Sequence, residues 1–298
     1  MGLLRFHGPA PPGPTVAEAG VSVAGIDVSD YQGAVDWPAV AAAGVRFAIA
    51  KATEDADFTA ETFARNWAGI RAAGLVRGAY HFFRPLVDAQ AQAEHFLATV
   101  ASGPRDLPPT LDVEVRDGVD APTFVRGMLQ WLDAVRAATG RAAMIYASQS
   151  FLEELGGPRE ISNHPLWIVD YERRPPIPPR GWRTYTLWQY TSTGSVTGIA
   201  GPVDLDVFNG SSAELAAFAA TGRAPTGERP RDTPLREGDA GPGVAEIQTR
   251  LKAKGFDPGP ADGVFGPKTR AAVIAFQRAA RLVVDGIVGP QTLAALRA

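Results

Sequence analysis

Five carboxylates on three short runs are the residues of this 298-residue chain best placed to do chemistry. In Leu111-Asp112-Val113-Glu114-Val115 apolar and acidic residues alternate, so a strand here turns Asp112 and Glu114 to one face and the apolar three to the other. Asp27 stands against Ile26 and Val28 in the same way, and Asp204 and Asp206 stand against Val203, Leu205 and Val207. Acids turned into a packed interior are costly unless a site uses them. One such Asp alone could simply cap a loop. Several that meet across a cleft suit glycosidic bond cleavage, in which one carboxyl protonates the leaving oxygen while another stabilises or attacks the cationic sugar carbon. Tyr80, Tyr146, Trp167, Tyr171, Trp188 and Tyr190 gather at strand ends and offer faces to sugar rings. Lys51, in Lys51-Ala-Thr-Glu54, is either a cleft cation or a partner for the acids.

The elements that must carry these residues follow from apolar runs and helical periods. Strands are expected at Val23–Val28, Val45–Ala50, Arg77–Phe83, Thr110–Val115, Ala142–Tyr146, Leu166–Tyr171, Tyr185–Tyr190 and Val203–Phe208. Helices are expected at Trp37–Ala43, Thr62–Ala73, Asp88–Val100, Thr123–Thr139 and Gln149–Leu155, with Phe124 and Trp131 in the core. That is an α/β chain: an irregular (β/α) barrel of eight strands and about five helices, with nothing helical between its last three strands. Strands one and eight are neighbours in a closed barrel and strand four lies across from them, so the acids line both sides of one cleft at the C-terminal mouth.

Four regions follow. Residues 1–21 form a flexible tail, 22–212 the barrel, 213–236 a linker rich in Pro and charge towards its end, and 237–298 a small three-helix module. The module holds an internal repeat: Ala261-Asp-Gly-Val-Phe-Gly-Pro-Lys-Thr269 is echoed by Val284-Asp-Gly-Ile-Val-Gly-Pro-Gln-Thr292. In each copy Asp-Gly makes a tight turn and Pro267 or Pro290 opens a helix. Ile247, Leu251, Ala272, Ile274, Phe276, Leu293 and Leu296 are expected to face its core.

Composition narrows the chemistry. The net charge of −3 argues against nucleic acid, and the absence of cysteine removes thiol nucleophiles, disulfides and thiolate metal sites. His7, His81, His95 and His164 show no zinc spacing, so neither a metal nor a cofactor is expected. No run is long and apolar enough to span a membrane.

The chain also carries a resemblance. Gly25-Ile-Asp-Val-Ser-Asp-Tyr-Gln-Gly33 with Val35-Asp-Trp37 resembles the opening of glycoside hydrolase family 25, the Chalaropsis-type lysozymes. The likeness continues through Phe47-Ala-Ile-Ala-Lys-Ala-Thr-Glu54, Gly78-Ala-Tyr-His-Phe82, Leu111-Asp-Val-Glu114, Pro165-Leu-Trp167, Leu187-Trp-Gln-Tyr190 and Val203-Asp-Leu-Asp-Val-Phe208. It implies hydrolysis of the β-1,4 bond after N-acetylmuramic acid in peptidoglycan. It also implies Glu114 as general acid, with Asp112 beside it, Asp27 in the cleft and Asp204 as the remaining acid. The family commonly has Asn where this chain has Asp206. Lys51, Tyr80, Tyr146, Trp167, Tyr171, Trp188, Gln189 and Asp206 are then the expected substrate-binding residues.

The C-terminal repeat is similar to the three-helix peptidoglycan-binding module, which makes the wall both substrate and anchor. Together the two resemblances imply a monomeric bacteriophage endolysin or bacterial autolysin. With no signal peptide legible the endolysin is favoured, and as an endolysin it is expected to wait in the host cytoplasm for a membrane pore. A wall-binding protein without activity and a glucosaminidase of the same architecture stay open as alternatives. Intact Glu114 and Asp27 speak against the former.

Overall fold

The computed structural model describes residues 22–171, 176–225, 234–237, 239 and 242–297. The expected N-terminal tail and residues 226–233 of the expected linker lie outside the described residues. The chain divides into two compact units, one of residues 1–176 with 185–225, the other of 177–184 with 226–298.

The first unit is a closed barrel. Its strands are β1 (Val23–Val28), β2 (Phe47–Glu54), a two-residue β3 (Phe58–Thr59), β4 (Val76–Phe82), β5 (Thr110–Asp112), β6 (Met144–Ser148), β7 (Leu166–Val169), β8 (Leu187–Gly194) and β9 (Val203–Phe208). They pair in the order β1-β9-β8-β7-β6-β5-β4-β2, and β2 returns to β1 to close the ring, while β3 hangs on the end of β2. Every junction in the ring is parallel except the two made by β9, which runs against both β8 and β1. A parallel strand needs a long crossover, whereas an antiparallel one needs only a short link. The helix missing before the last strand is therefore a strand reversal.

Helices α1 (Trp37–Ala42), α2 (Phe63–Ala72), α3 (Ala89–Thr99), α4 (Ala121–Thr139) and α5 (Gln149–Glu154) match the five expected. Four of them start at a side-chain cap: Asp36 accepts from Ala39 N, Asp88 from Ala91 N, Asp120 from Thr123 N and Ser148 from Phe151 N. A sixth helix, α6 (Ser212–Thr221), begins at a Ser211/Glu214 capping box and ends at Gly222 in the left-handed region. Its Leu215, Phe218 and Ala219 are buried in one cluster with Val23, Phe47 and Phe208. The barrel unit thus continues through the start of the expected linker at 213, because an alanine-rich helix reads as weakly amphipathic while still closing the barrel floor.

The interior stacks Phe47, Ile49, Met144, Trp167 and Leu187 from four strands. Gly25 makes room for them: a Cβ there would lie 2.1 Å from the Phe47 ring. Gly25→Ala is therefore expected to destabilise the protein by about 3 kcal/mol, the upper end for overpacking a core. The midpoint of urea unfolding measures it, and an unchanged midpoint would mean that Phe47 has another place to go.

Within the second unit, α7 (Pro242–Ala253), α8 (Pro267–Ala279) and α9 (Pro290–Arg297) surround Ile247, Leu251, Phe265, Ala272, Val273, Phe276, Leu293 and Leu296. Val273 takes the inward place expected of Ile274, since Ala272, Val273 and Phe276 follow helical spacing where 272, 274 and 276 would follow a strand's. The repeat is locked by two equivalent glutamines. Gln248 Oε1 accepts from Gly263 N at 2.9 Å, and its Nε2 donates to Asp262 at 3.0 Å and Thr269 at 3.1 Å. Gln277 does the same with Gly286, Asp285 and Thr292 at 2.9, 2.8 and 3.2 Å.

Candidate active site

At the C-terminal mouth of the barrel lies a cleft of about 400 Å³. Asp112 ends β5 and Glu114 follows two residues later, with Val113 N still bonded to Tyr146 O at 3.0 Å to keep the extended course. Across the mouth, Asp27 on β1 and Asp204 on β9 are direct cross-strand partners. Like charges set opposite each other in this way destabilise a sheet. All four line the cleft. Asp206 does not. Because β9 is reversed, Asp204 lies nearer the mouth and Asp206 two residues deeper, beside Gly25 and 1% exposed.

Crowding sets the protonation of these groups. Asp112 is buried and its carboxyl is pushed well above the usual range, first by burial, then by the charge of Glu114 and by the hydrogen bond between them. Glu114 is open to solvent at the cleft, and partial desolvation raises its carboxyl too, against the lowering effects of Asp112 and Lys51. Burial, followed by the charges of Asp206 and Asp204, raises Asp27 well above its ordinary value. Burial does the same to Asp206, although the Trp167 indole donates to its Oδ1 at 2.8 Å. Asp206 Oδ2 is buried with no N–H donor, which a proton shared with Asp27 satisfies. Asp204, only half-buried, is raised to about 6 by burial and the charge of Glu114. A carboxyl raised towards its protonated form and a second, ionisable carboxylate thus face one cavity, which is what acid–base cleavage requires.

Aromatic rings form the walls. Tyr80, Tyr146, Trp167 and Tyr171 line the cleft, and Tyr146 and Trp167 meet edge to face with centroids 4.7 Å apart. Trp188, expected to bind substrate, does not line it: its indole donates to Asp170 O at 2.7 Å and its ring packs against Tyr185 and Tyr190. Adjacent residues of a strand point to opposite faces, and Gln189 takes the inner one. Gln189 lines the cleft and donates to Asp27 Oδ2 at 2.7 Å.

Several cleft residues escaped the sequence reading: Ser29, Tyr31, Glu54, Phe82 and Arg84. Glu54 accepts from Lys51 Nζ at 2.5 Å and from Arg84 Nε at 2.8 Å. Although burial opposes it, these two cations hold its carboxyl below the ordinary value. Both cations also lie over the Phe82 ring, at 5.1 and 4.7 Å from its centroid. Strict alternation would place Lys51 and Glu54 on opposite faces. The register shift against β4 between Lys51 and Thr53 turns Thr53 outward to His81, at 2.8 Å, and brings Glu54 back into the cleft. Tyr31 is 96% exposed at the rim, on a turn fixed at both ends. Asp30 accepts from Thr62 N at 2.9 Å, and Gln32 donates to Pro202 O at 3.2 Å.

Comparison with known proteins agrees with this geometry. The family description "Glycosyl hydrolases family 25" matches residues 26–199, and "Putative peptidoglycan binding domain" matches residues 240–296. Uncharacterized protein YegX of Escherichia coli (strain K12) is 42% identical over 207 residues, 67% of this chain and 74% of that protein. Lysozyme M1 of Streptomyces globisporus is 36% identical over 226 residues, 71% of this chain and 76% of that one. Among solved structures, the bacterial lysozyme from Streptomyces coelicolor superposes with a TM-score of 0.64 at 35% identity, covering 66% of this chain and 97% of its own. The opposed acids at the mouth of an eight-stranded barrel with one reversed strand have a family to stand in: the chain belongs to glycosyl hydrolase family 25.

Proposed function

We propose that the protein is a muramidase that hydrolyses the β-1,4 bond between N-acetylmuramic acid and N-acetylglucosamine in peptidoglycan. The observation that carries this reading is the Asp112–Glu114 pair at one wall of the cleft, facing Asp27 and Asp204 at the other. Glu114, solvent-reachable and with a raised carboxyl, protonates the leaving oxygen. Asp112 stays protonated beneath it and hydrogen-bonds to it. Asp204 supplies negative charge to the cationic sugar carbon, and Asp27 accepts a hydrogen bond from the sugar lying over it. Tyr171 and Tyr31 give faces to neighbouring sugars, being 53% and 96% exposed.

The bond assignment has a direct test. A muramidase leaves a new muramic acid reducing end at each cut, whereas a glucosaminidase leaves glucosamine there. After digestion of purified walls, borohydride reduction and acid hydrolysis, muramitol is expected and glucosaminitol is not. Glucosaminitol as main product would move the cut to the other bond. New amino termini without any reduced sugar would remove glycosidase activity altogether.

Residues 22–225 are proposed as the catalytic unit and the C-terminal domain as its wall anchor. A tether raises local concentration at an insoluble substrate without altering the chemistry. Residues 1–225 alone are expected to cleave short soluble muropeptide chains at close to the full-length rate and intact walls more slowly. A fluorescent fusion of residues 226–298 is expected to sediment with walls. A fusion left in the supernatant would make this domain a spacer.

A further inference from the structure

Gln189 lines the cleft, yet its polar atoms are committed to the protein rather than to a ligand. It is 3% exposed. Its Oε1 accepts from the hydroxyls of Tyr146 and Tyr171, each at 2.9 Å, while its Nε2 donates to Asp27 Oδ2 at 2.7 Å. The orientation of the amide is decided by this company. Turned over, it would press a carbonyl oxygen against the Asp27 carboxyl. As it stands, two hydroxyl donors saturate the carbonyl end and leave the N–H end facing Asp27. Gln189 also lies directly across the β8–β9 ladder from Asp206, so Asp27 is backed from two strands at once.

We propose that Gln189 is a positioning residue: anchored by the hydroxyls of Tyr146 and Tyr171, it holds Asp27 in the one orientation from which that carboxyl serves the bound sugar. Tyr171 extends the arrangement to the substrate. Its ring is half exposed at the cleft wall while its hydroxyl is fixed on Gln189, so a sugar resting on Tyr171 presses on the residue that aims Asp27. The expected substrate-binding role of Gln189 becomes an indirect one. The inference rests on the muramidase reading only in taking Asp27 to act on the sugar.

Gln189→Glu tests it. Glutamate is nearly the same shape and still accepts from both tyrosines, but it presents Asp27 with a carboxyl in place of an N–H donor. On soluble glycan strands kcat is expected to fall about 10²-fold, the effect of a slightly misplaced reacting group, with KM changed less than twofold. Tyr146→Phe, which removes one of the two anchors, is expected to lower kcat several-fold, again at constant KM. That milder variant decides the matter should Gln189→Glu fail to fold. A rise in KM at normal kcat for either variant would make Gln189 a substrate ligand and overturn the proposal, and so would normal kinetics in both. Asp27→Asn, measured alongside, separates the two layers of argument. Normal turnover by Asp27→Asn refutes the role given to Asp27 itself. Loss of turnover by Asp27→Asn, with Gln189→Glu unimpaired, refutes only the positioning.

Discussion

Glu114→Gln is expected to lower wall lysis by about 10²–10⁴-fold, the range for removing a general acid. Glutamine keeps the shape of the side chain and still accepts from Asp112, but it has no proton to give the leaving oxygen. Glu114 lies beyond the end of β5 and is solvent-exposed, so folding and sedimentation with walls should be unaffected. In the proposed role Glu114 acts in its protonated form. Native activity therefore falls as pH rises through the carboxyl's raised value, and the residual activity of the variant lacks that limb. Near-normal lysis by Glu114→Gln would take the general-acid role away from this residue.

The second large effect separates two aspartates that sequence alone ranks only by resemblance. Asp204 lines the cleft and Asp206 lies beneath it. Asp204→Asn removes a charge facing the reacting sugar, a loss expected to cost about 10²-fold. In the proposed role Asp204 acts ionised, so native activity is also expected to decline as pH falls through about 6, and the variant to be flat there. Asp206→Asn should be mild. An asparagine oxygen still accepts from Trp167, and its amide N–H can stand in for the proton shared with Asp27. Wall-clearing rates across pH 4–8 measure both variants. The opposite ranking would show that the deeper acid is the one that acts.

The acids were legible because a half-buried strand speaks in a period of two, and three runs showed acids opposing apolar residues. What stayed hidden falls where that period breaks or has nothing to say. Glu54 enters the cleft only through the irregularity after Lys51, which no propensity announces. Trp188 sits among the aromatics at the strand ends, yet alternation turns it outward, since it and Gln189 cannot both face inward. The reversal of β9 left one trace, a missing helix, which indicated that the barrel was irregular without saying that a strand had turned round. Tyr31 rides on a turn whose rigidity depends on Thr62 and Pro202, partners remote in sequence. Helix α6 carries a plain capping box at Ser211 and Glu214, and that signal could have been used.

The reversal of β9 also decides where the polypeptide leaves the barrel. A parallel final strand would deliver the chain to the catalytic mouth, and whatever came next would have to be routed around the glycan. Here β9 enters beside the acids at Asp204 and descends to Phe208 at the opposite pole, where α6 seals the floor. The exit is thus a barrel's thickness away from the cleft. The strand that lifts Asp204 to the mouth is moored at its far end, where Phe208 stacks on Phe218 of α6, so the barrel's floor fixes how deep that carboxylate sits.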